Sequence, residues 1–207
     1  MKYLILAILV LTGCAAPRAQ TPVALYDFGM QRLAPAPGAS GISGDMRLRA
    51  SILVSDALAP VWLDSTAILY RLAYHDLARV YAYGGSRWAA TPATLLTQRI
   101  RSRIAMINDD GVVSAAEGAR TDYALRLELE DFTQIFNTAD RSQAVIKLRA
   151  SLIDRRTRTL VSQRSFSIEQ PAPAPNASGA VHALTDASDN LIGALIGWLA
   201  EELPERR

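Results

Sequence analysis

Tyr123–Phe132 (YALRLELEDF) is the stretch of sequence that decides the fold. Its apolar and polar side chains alternate, with Tyr123, Leu125, Leu127 and Leu129 on one side and Arg126, Glu128 and Glu130 on the other. Successive side chains of a β-strand point to opposite faces of its sheet, so this strand has one apolar and one polar face. The stretch therefore predicts a sheet with one buried face and one solvent-exposed face.

Further strands are predicted on both sides of this stretch. Ala144–Leu152 alternates in the same way, and Asp154–Arg158 is a polar turn into Thr159–Ile168, so these strands should form an antiparallel meander with the first. Upstream strands are predicted at Val23–Gly29, Arg47–Ser55, Ala67–Ala73 and Leu77–Tyr83. We expect the glycine pair at 84 and 85 to break the last of them.

Two helices are also predicted. Thr91 and Pro92 suit an N-cap and a first helical residue. The core stripe of this helix should be Leu96, Ile100, Ile104 and Ile107, with Arg99, Arg101 and Arg103 lying elsewhere. The second helix is predicted over Ser178–Glu202, with an apolar face of Leu184, Leu191, Leu195, Trp198 and Leu199. We expect Gly193 and Gly197 to permit close packing on a sheet or another helix.

The order of elements predicts the architecture. Strands, a helix, three more strands and a last helix favour an α+β two-layer sandwich, in which two helices pack on one face of a mainly antiparallel sheet. Leu33–Gly44 and Gln170–Gly179 are rich in Pro, Ala, Gly and Ser, and we interpret them as loops. Neither requires a domain boundary, so residues 23–207 are predicted to form a single domain.

The N-terminus indicates export. Met1–Lys2 is positively charged and Tyr3–Leu11 is apolar, but this run is far shorter than the roughly 20 residues that span a bilayer. Leu11-Thr12-Gly13-Cys14 resembles the bacterial lipobox. The resemblance implies that residues 1–13 are a signal peptide cut between Gly13 and Cys14. It also implies diacylglycerol on the Cys14 sulfur and an N-acyl chain on its new amine. The alternative is an ordinary secretory signal with an accidental cysteine.

The residues around Cys14 indicate where the chain resides. Residues 14–22 would form a lipidated tether that holds the domain to a membrane. Ala15 follows the cysteine, where aspartate is the usual inner-membrane retention signal, so the periplasmic face of the outer membrane is favoured if the host is Gram-negative. Cys14 is the only cysteine, which excludes an intramolecular disulfide.

Composition and the polar residues argue against several classes of function. The formal net charge of +2 leaves no strong positive field for nucleic acid. His75 and His182 lack the additional ligands of a metal site and any serine nucleophile signature. Asp109-Asp110-Gly111 lacks the twelve-residue series of a calcium loop, and we interpret it as a polar turn. Neither an enzyme nor a cofactor is predicted, apart from the covalent lipid on Cys14.

Several segments together resemble a known family. They are Leu11–Cys14 (LTGC), Ala24–Phe28 (ALYDF), Ala67–Arg71 (AILYR), Arg79–Ala89 (RVYAYGGSRWA), and Pro92 followed by Leu95-Leu96 and Arg99-Ile100. The chain is similar to auxiliary lipoproteins of ABC-type transporters for lipids or organic solvents, of the PqiC (YmbA) type. This resemblance implies a non-enzymatic accessory that works beside a permease, an ATPase and an MCE-domain protein, in lipid transport or envelope integrity. It leaves a homo-oligomer open.

The aromatic segment is the best candidate for a contact surface. Tyr70, Tyr74, Tyr81, Tyr83 and Trp88 are interleaved with Arg71, Arg79 and Arg87. Because Tyr, Trp and Arg are enriched at interface hot spots, we predict partner contacts at Tyr81, Tyr83, Arg87 and Trp88. The alternative is that about half of the set are core residues of the sheet. Two other functions stay open: a lipid carrier that holds an acyl chain between helix and sheet, and an assembly lipoprotein of another envelope machine.

Overall fold

The computed structural model describes residues 22–29, 47–108, 112–114 and 120–203. The predicted signal peptide, Cys14, most of the tether, the loop at 33–44 and the turn at 109–111 lie outside these residues. The strands are β1 (Ala24–Tyr26), β2 (Ile52–Val54), β3 (Ala67–Leu72), β4 (Asp76–Trp88), β5 (Val112–Ser114), β6 (Tyr123–Phe136), β7 (Ser142–Asp154) and β8 (Thr159–Pro171). The helices are α1 (Pro92–Ile107) and α2 (Ala177–Glu202).

Strand β6 lies at the centre of the eight-stranded sheet. One edge pairs with β7 along its whole length, and β7 pairs with β8, so the predicted antiparallel meander is confirmed. The other edge pairs in parallel with β2 near the start of β6 and with β3 near its end. The sheet continues from β3 to β4 and β1, and from β2 to β5. Its long ladders are antiparallel and its short ones mostly parallel, which confirms the α+β sandwich.

The apolar face of the sheet is covered by the helices. Leu125, Leu127 and Leu129 of β6 are buried, and each is directly opposite a buried residue of β7. Helix α2 packs on β7 and β8, and α1 contacts α2. Most buried apolar side chains of both helices and of the sheet belong to one hydrophobic cluster. Burial of this face is the main contribution to stability, because each large apolar side chain removed from water contributes about 1.5–3 kcal/mol.

Both helices begin at capping residues. The Thr91 hydroxyl accepts a hydrogen bond from the Thr94 amide, and Pro92 is the first residue of α1, as the sequence predicted. The Asn176 side chain accepts from the Gly179 amide at 2.9 Å and caps α2. Asparagine is a favoured N-cap because its side-chain oxygen satisfies an amide that has no partner within the helix.

The prediction that the glycine pair ends β4 is wrong. The strand continues through Gly84 and Gly85 to Trp88. Its ladder with β3 shifts register here, since Arg87 pairs with Ala67 whereas Ala82 pairs with Leu69. Glycine tolerates the irregular backbone of such a bulge, so the strand continues past the pair and its last three residues pair with β1.

The prediction that Arg99 lies away from the core is also wrong. Its guanidinium is buried and makes two 2.7 Å hydrogen bonds to the Asp189 carboxylate of α2. A third nitrogen donates to the backbone oxygens of Phe28, at 3.0 Å, and Gly29. A bidentate pair of this kind is among the stronger side-chain interactions. Arg99 thus connects both helices to the segment that follows β1.

Helix α2 approaches the preceding loop closely at one glycine. A Cβ atom built on Gly179 would lie 2.0 Å from the carbonyl oxygen of Ala174, a distance that no side chain can adopt. By contrast, a Cβ on Gly193 or Gly197 would meet no atom within 4 Å apart from its chain neighbours and the backbone of its own helix. The close packing predicted for Gly193 and Gly197 is therefore wrong, and the tight contact occurs at the first turn of the helix.

We expect Gly179→Ala to lower the free energy of unfolding by about 2 kcal/mol, because the loop must move to relieve the clash with Ala174. Gly193→Ala, the matched control, should raise it by up to about 1 kcal/mol, because alanine is the better helix former and the site is open. Urea unfolding of both variants measures the two values. Equal effects of the two substitutions would contradict the packing described for α2.

Candidate partner-binding site

Three strands bring tyrosines together on one face of the sheet. Tyr70 of β3 pairs with Tyr81 of β4 on one side and with Gln134 of β6 on the other. Paired residues of neighbouring strands project to the same face. Gln134 in turn pairs with Ala144, a core residue of β7, so this is the face that the helices cover. Tyr83 follows two residues after Tyr81 and shares that face.

The aromatic rings form a compact group, which we call the tyrosine cluster: Tyr70, Tyr81, Tyr83 and Phe136. The Tyr70 ring centroid lies 5.2 Å from that of Tyr81, 4.7 Å from that of Tyr83 and 5.7 Å from that of Phe136. These separations fall in the range that aromatic pairs prefer. The three tyrosines are half-buried, whereas Phe136 is buried. The cluster therefore presents rigid, partly exposed aromatic surface.

Arginine and buried polar groups support the cluster. The Arg79 guanidinium lies 4.8 Å from the Tyr81 ring centroid, a cation–π distance. The Tyr83 hydroxyl donates to Gln134 Oε1 at 2.5 Å, and Gln134 Nε2 donates to Ser142 Oγ at 2.8 Å. Gln134 is fully buried, so these hydrogen bonds satisfy polar groups whose burial without partners would destabilise the fold. Burial, with a smaller contribution from the neighbouring Tyr70, raises the pKa of Tyr83 to about 12.

The structure separates the four residues predicted to contact a partner. Tyr81 and Tyr83 lie in the cluster. Trp88 is a correction: only 1% of its surface is exposed, and its ring packs at 5.7 Å against those of Phe28 and Phe132, so it is a core residue. Arg87 is exposed, but it precedes Trp88 in the strand and projects to the opposite face. A partner role for Tyr81, Tyr83 and Arg87 stays a prediction.

Sequence reasoning missed the part of the cluster that β6 and β7 provide. The predicted strand ended at Phe132, whereas β6 continues to Phe136. The ladder passes from Leu129 to Asp131 on β6 while β7 advances by one residue, so Glu130 is a bulge that resets the alternation. After it, Phe132, Gln134 and Phe136 point to the helix side. The apolar Phe132 and Phe136 are the signal that could have indicated this shift.

The remaining polar candidates are exposed at the surface or form ion pairs within the sheet. His75 lies exposed in the β3–β4 turn, and His182 is exposed on α2. Glu128 and Glu130 both form ion pairs with Arg149 of β7, on the polar face of the sheet. Across the described residues, no group of three or more His, Cys, Asp or Glu side chains is placed to hold a metal ion. The helices of this same part of the chain are all too short or too polar to cross a membrane.

The raised pKa of Tyr83 predicts a pH dependence. The unfolded residue loses its proton near its ordinary pKa of 10.0, while the folded residue keeps it to about 12. The free energy of unfolding should therefore fall as pH rises through this window, since the folded state binds more protons than the unfolded state. Urea unfolding midpoints at several pH values measure this slope.

Tyr83→Phe should flatten the slope and, because the Gln134 oxygen loses its donor, cost about 1–3 kcal/mol at neutral pH. Tyr74→Phe, at an exposed tyrosine of the β3–β4 turn, is the control and should change neither quantity. A slope in Tyr83→Phe as steep as that of the unmodified protein would contradict the assignment.

Solved structures with the same fold exist. The chain is similar to protein XCC0632 from Xanthomonas campestris, a DUF330 protein, with a TM-score of 0.71 and 20% identity over 85% of this chain and 94% of that one. It is also similar to the hypothetical protein CT253 from Chlamydia trachomatis, with a TM-score of 0.51 and 6% identity over 75% and 98% of the two chains. At these identities the similarity concerns the fold alone. No curated protein matches the chain.

The family comparison extends over most of the sequence. Residues 32–195 match the family described as the ABC-type transport auxiliary lipoprotein component. The matched range includes β2 to β8, α1 and most of α2, and thus all residues of the tyrosine cluster. The chain therefore belongs to the ABC-type transport auxiliary lipoprotein family.

Proposed function

We propose that this protein is a non-enzymatic, lipid-anchored subunit of an MCE-associated ABC transport system that moves lipids or organic solvents. It acts at the periplasmic face of the outer membrane and supports envelope integrity. Family membership supports the association with a transporter. The observation that carries the accessory role is the tyrosine cluster, a partly exposed aromatic surface suited to contact with a partner.

The anchor would keep the domain near the bilayer. The segment between Cys14 and Ala24, where β1 begins, spans at most about 35 Å when fully extended. Two or three acyl chains hold such a protein firmly, since each buried methylene contributes about 0.8 kcal/mol. The domain thus works within one protein diameter of the membrane that carries it.

Nucleotide hydrolysis is assigned to another subunit. The glycine pair at 84 and 85, with Ser86, lies within strand β4 and lacks the lysine and the strand-to-helix turn of a phosphate-binding loop. This chain would act by holding or positioning a partner, most simply the MCE-domain protein that meets it from the inner-membrane side.

The tyrosine cluster is suited to bind a protein. Its rings already pack against the Tyr70 ring in the absence of a partner, so little side-chain freedom is lost on binding. Tyrosine offers a large apolar area and a hydroxyl, and Arg79 adds a charge beside Tyr81. Rigid aromatic residues next to arginine have the composition of an interface hot spot.

The carrier alternative is less well supported. The layer between α2 and the sheet is filled by side chains with no exposed surface, among them Leu184, Leu191 and Leu195. An acyl chain would have to displace these residues, at the cost of several kcal/mol that overpacking or rearrangement of a core entails.

Affinity capture of the acylated protein from its own membranes tests the proposal. We expect the MCE-domain protein and the permease to be recovered. Tyr81→Ala should reduce recovery by about tenfold, since hot-spot truncations cost more than about 1.4 kcal/mol. Tyr74→Ala, which removes an exposed tyrosine outside the cluster, should not.

Two results would count against the proposal. Absence of any MCE-domain partner in the capture with the unmodified protein would overturn the transport assignment. Full recovery with Tyr81→Ala would reject the cluster as the contact surface and leave the exposed Arg87 as the remaining predicted contact.

A further inference from the structure

A cleft on the polar face of the sheet is lined by three arginines. Arg126 comes from β6, and Arg155 and Arg158 come from the turn between β7 and β8. The cleft has a volume of about 520 Å³. Its floor is apolar: Leu53, Ala124 and Ile153 are paired neighbours across β2, β6 and β7. Among the described residues that line it, none is acidic.

The sheet pairing places this cleft far from the tyrosine cluster. Ala124 and Arg126 lie near the start of β6 and point away from the helices, because their neighbour Leu125 points into the core. The cluster lies on the helix side around Gln134, ten residues farther along the strand and so about 30 Å away. The cleft is therefore a separate surface that the proposed partner contact does not use.

The charges in the cleft require an explanation. Neighbouring guanidinium groups repel one another, and the repulsion is not compensated by a carboxylate in the lining. Elsewhere on the same polar face the chain compensates its charges, as Arg149 does with Glu128 and Glu130. Concentrated positive charge over an apolar floor fits an anion that also carries carbon substituents.

We propose that the three-arginine cleft binds a phosphate ester. Guanidinium groups match phosphate oxygens with paired hydrogen bonds, which makes arginine the preferred side chain for this anion. The floor of Leu53, Ala124 and Ile153 would contact the glycerol or the first methylene groups of the ester. The source is either the headgroup of an anionic phospholipid or a free phosphate ester, and the inference does not depend on the proposed function.

Isothermal titration calorimetry of the full acylated protein in a neutral detergent tests this inference. The probes are glycerol 3-phosphate, dihexanoyl phosphatidylglycerol and dihexanoyl phosphatidylcholine. We expect at least one of the two anionic probes to bind. If phosphatidylglycerol binds, phosphatidylcholine should bind at least tenfold more weakly. Binding of phosphatidylglycerol alone identifies the lipid headgroup as the source, and binding of glycerol 3-phosphate alone identifies a free ester.

Arginine variants separate recognition in the cleft from general charge. Arg126→Gln and Arg158→Gln should each weaken binding by about 10- to 100-fold, the effect of one charge-assisted hydrogen bond. Arg155 is left intact because its guanidinium also donates to Thr121. Arg141→Gln, an exposed arginine in the turn at the other end of β6, is the control and should bind normally.

Three results would overturn the inference: no binding of either anionic probe, binding of phosphatidylcholine as tight as a measurable binding of phosphatidylglycerol, or unchanged binding in both cleft variants. Circular dichroism spectra that match the unmodified protein would establish that the variants are folded, so that a loss of binding is assigned to the cleft.

Discussion

The structure depends on the burial of one face of a single strand. Strand β6 is hydrogen-bonded along both edges, to β7 on one side and to β2 and β3 on the other, so it holds together parts of the chain that are distant in sequence. Its apolar face must be covered, and the two helices cover it. A shift of register by one residue would turn this face to water, which fixes the pairing of the whole sheet.

Strand β6 contributes residues to both proposed binding surfaces. Near its end, the helix-side residue Gln134 holds Tyr83 and completes the tyrosine cluster. Near its start, Arg126 projects from the polar face into the three-arginine cleft. Partner contact and anion binding would therefore occur at opposite ends and on opposite faces of one rigid sheet. Such a division allows a protein to be bound at one surface while the other meets a phosphate ester.

Local patterns predicted the meander of β6, β7 and β8 and the start of α1, because these features follow from alternation and capping over a few residues. The same local patterns gave wrong predictions where contacts with distant segments determine the position of a residue. Arg99 is buried because its guanidinium forms hydrogen bonds with Asp189 and with the backbone after β1. The spacing of apolar residues along a helix cannot reveal such partners. The run of aromatic residues predicts a partner contact at Trp88, although Trp88 packs against Phe28 and Phe132 in the core. The cleft was missed because Arg126, Arg155 and Arg158 converge only when strands pair.

Both proposed surfaces act at a membrane only if the domain is anchored there, so both depend on the lipid on Cys14. Intact-mass spectrometry of the protein purified from its own membranes tests it most directly. We expect a mature chain that begins at Cys14, with diacylglycerol on its sulfur and an acyl chain on its amine. An unmodified thiol, or a mature chain that begins at any other residue, would contradict it.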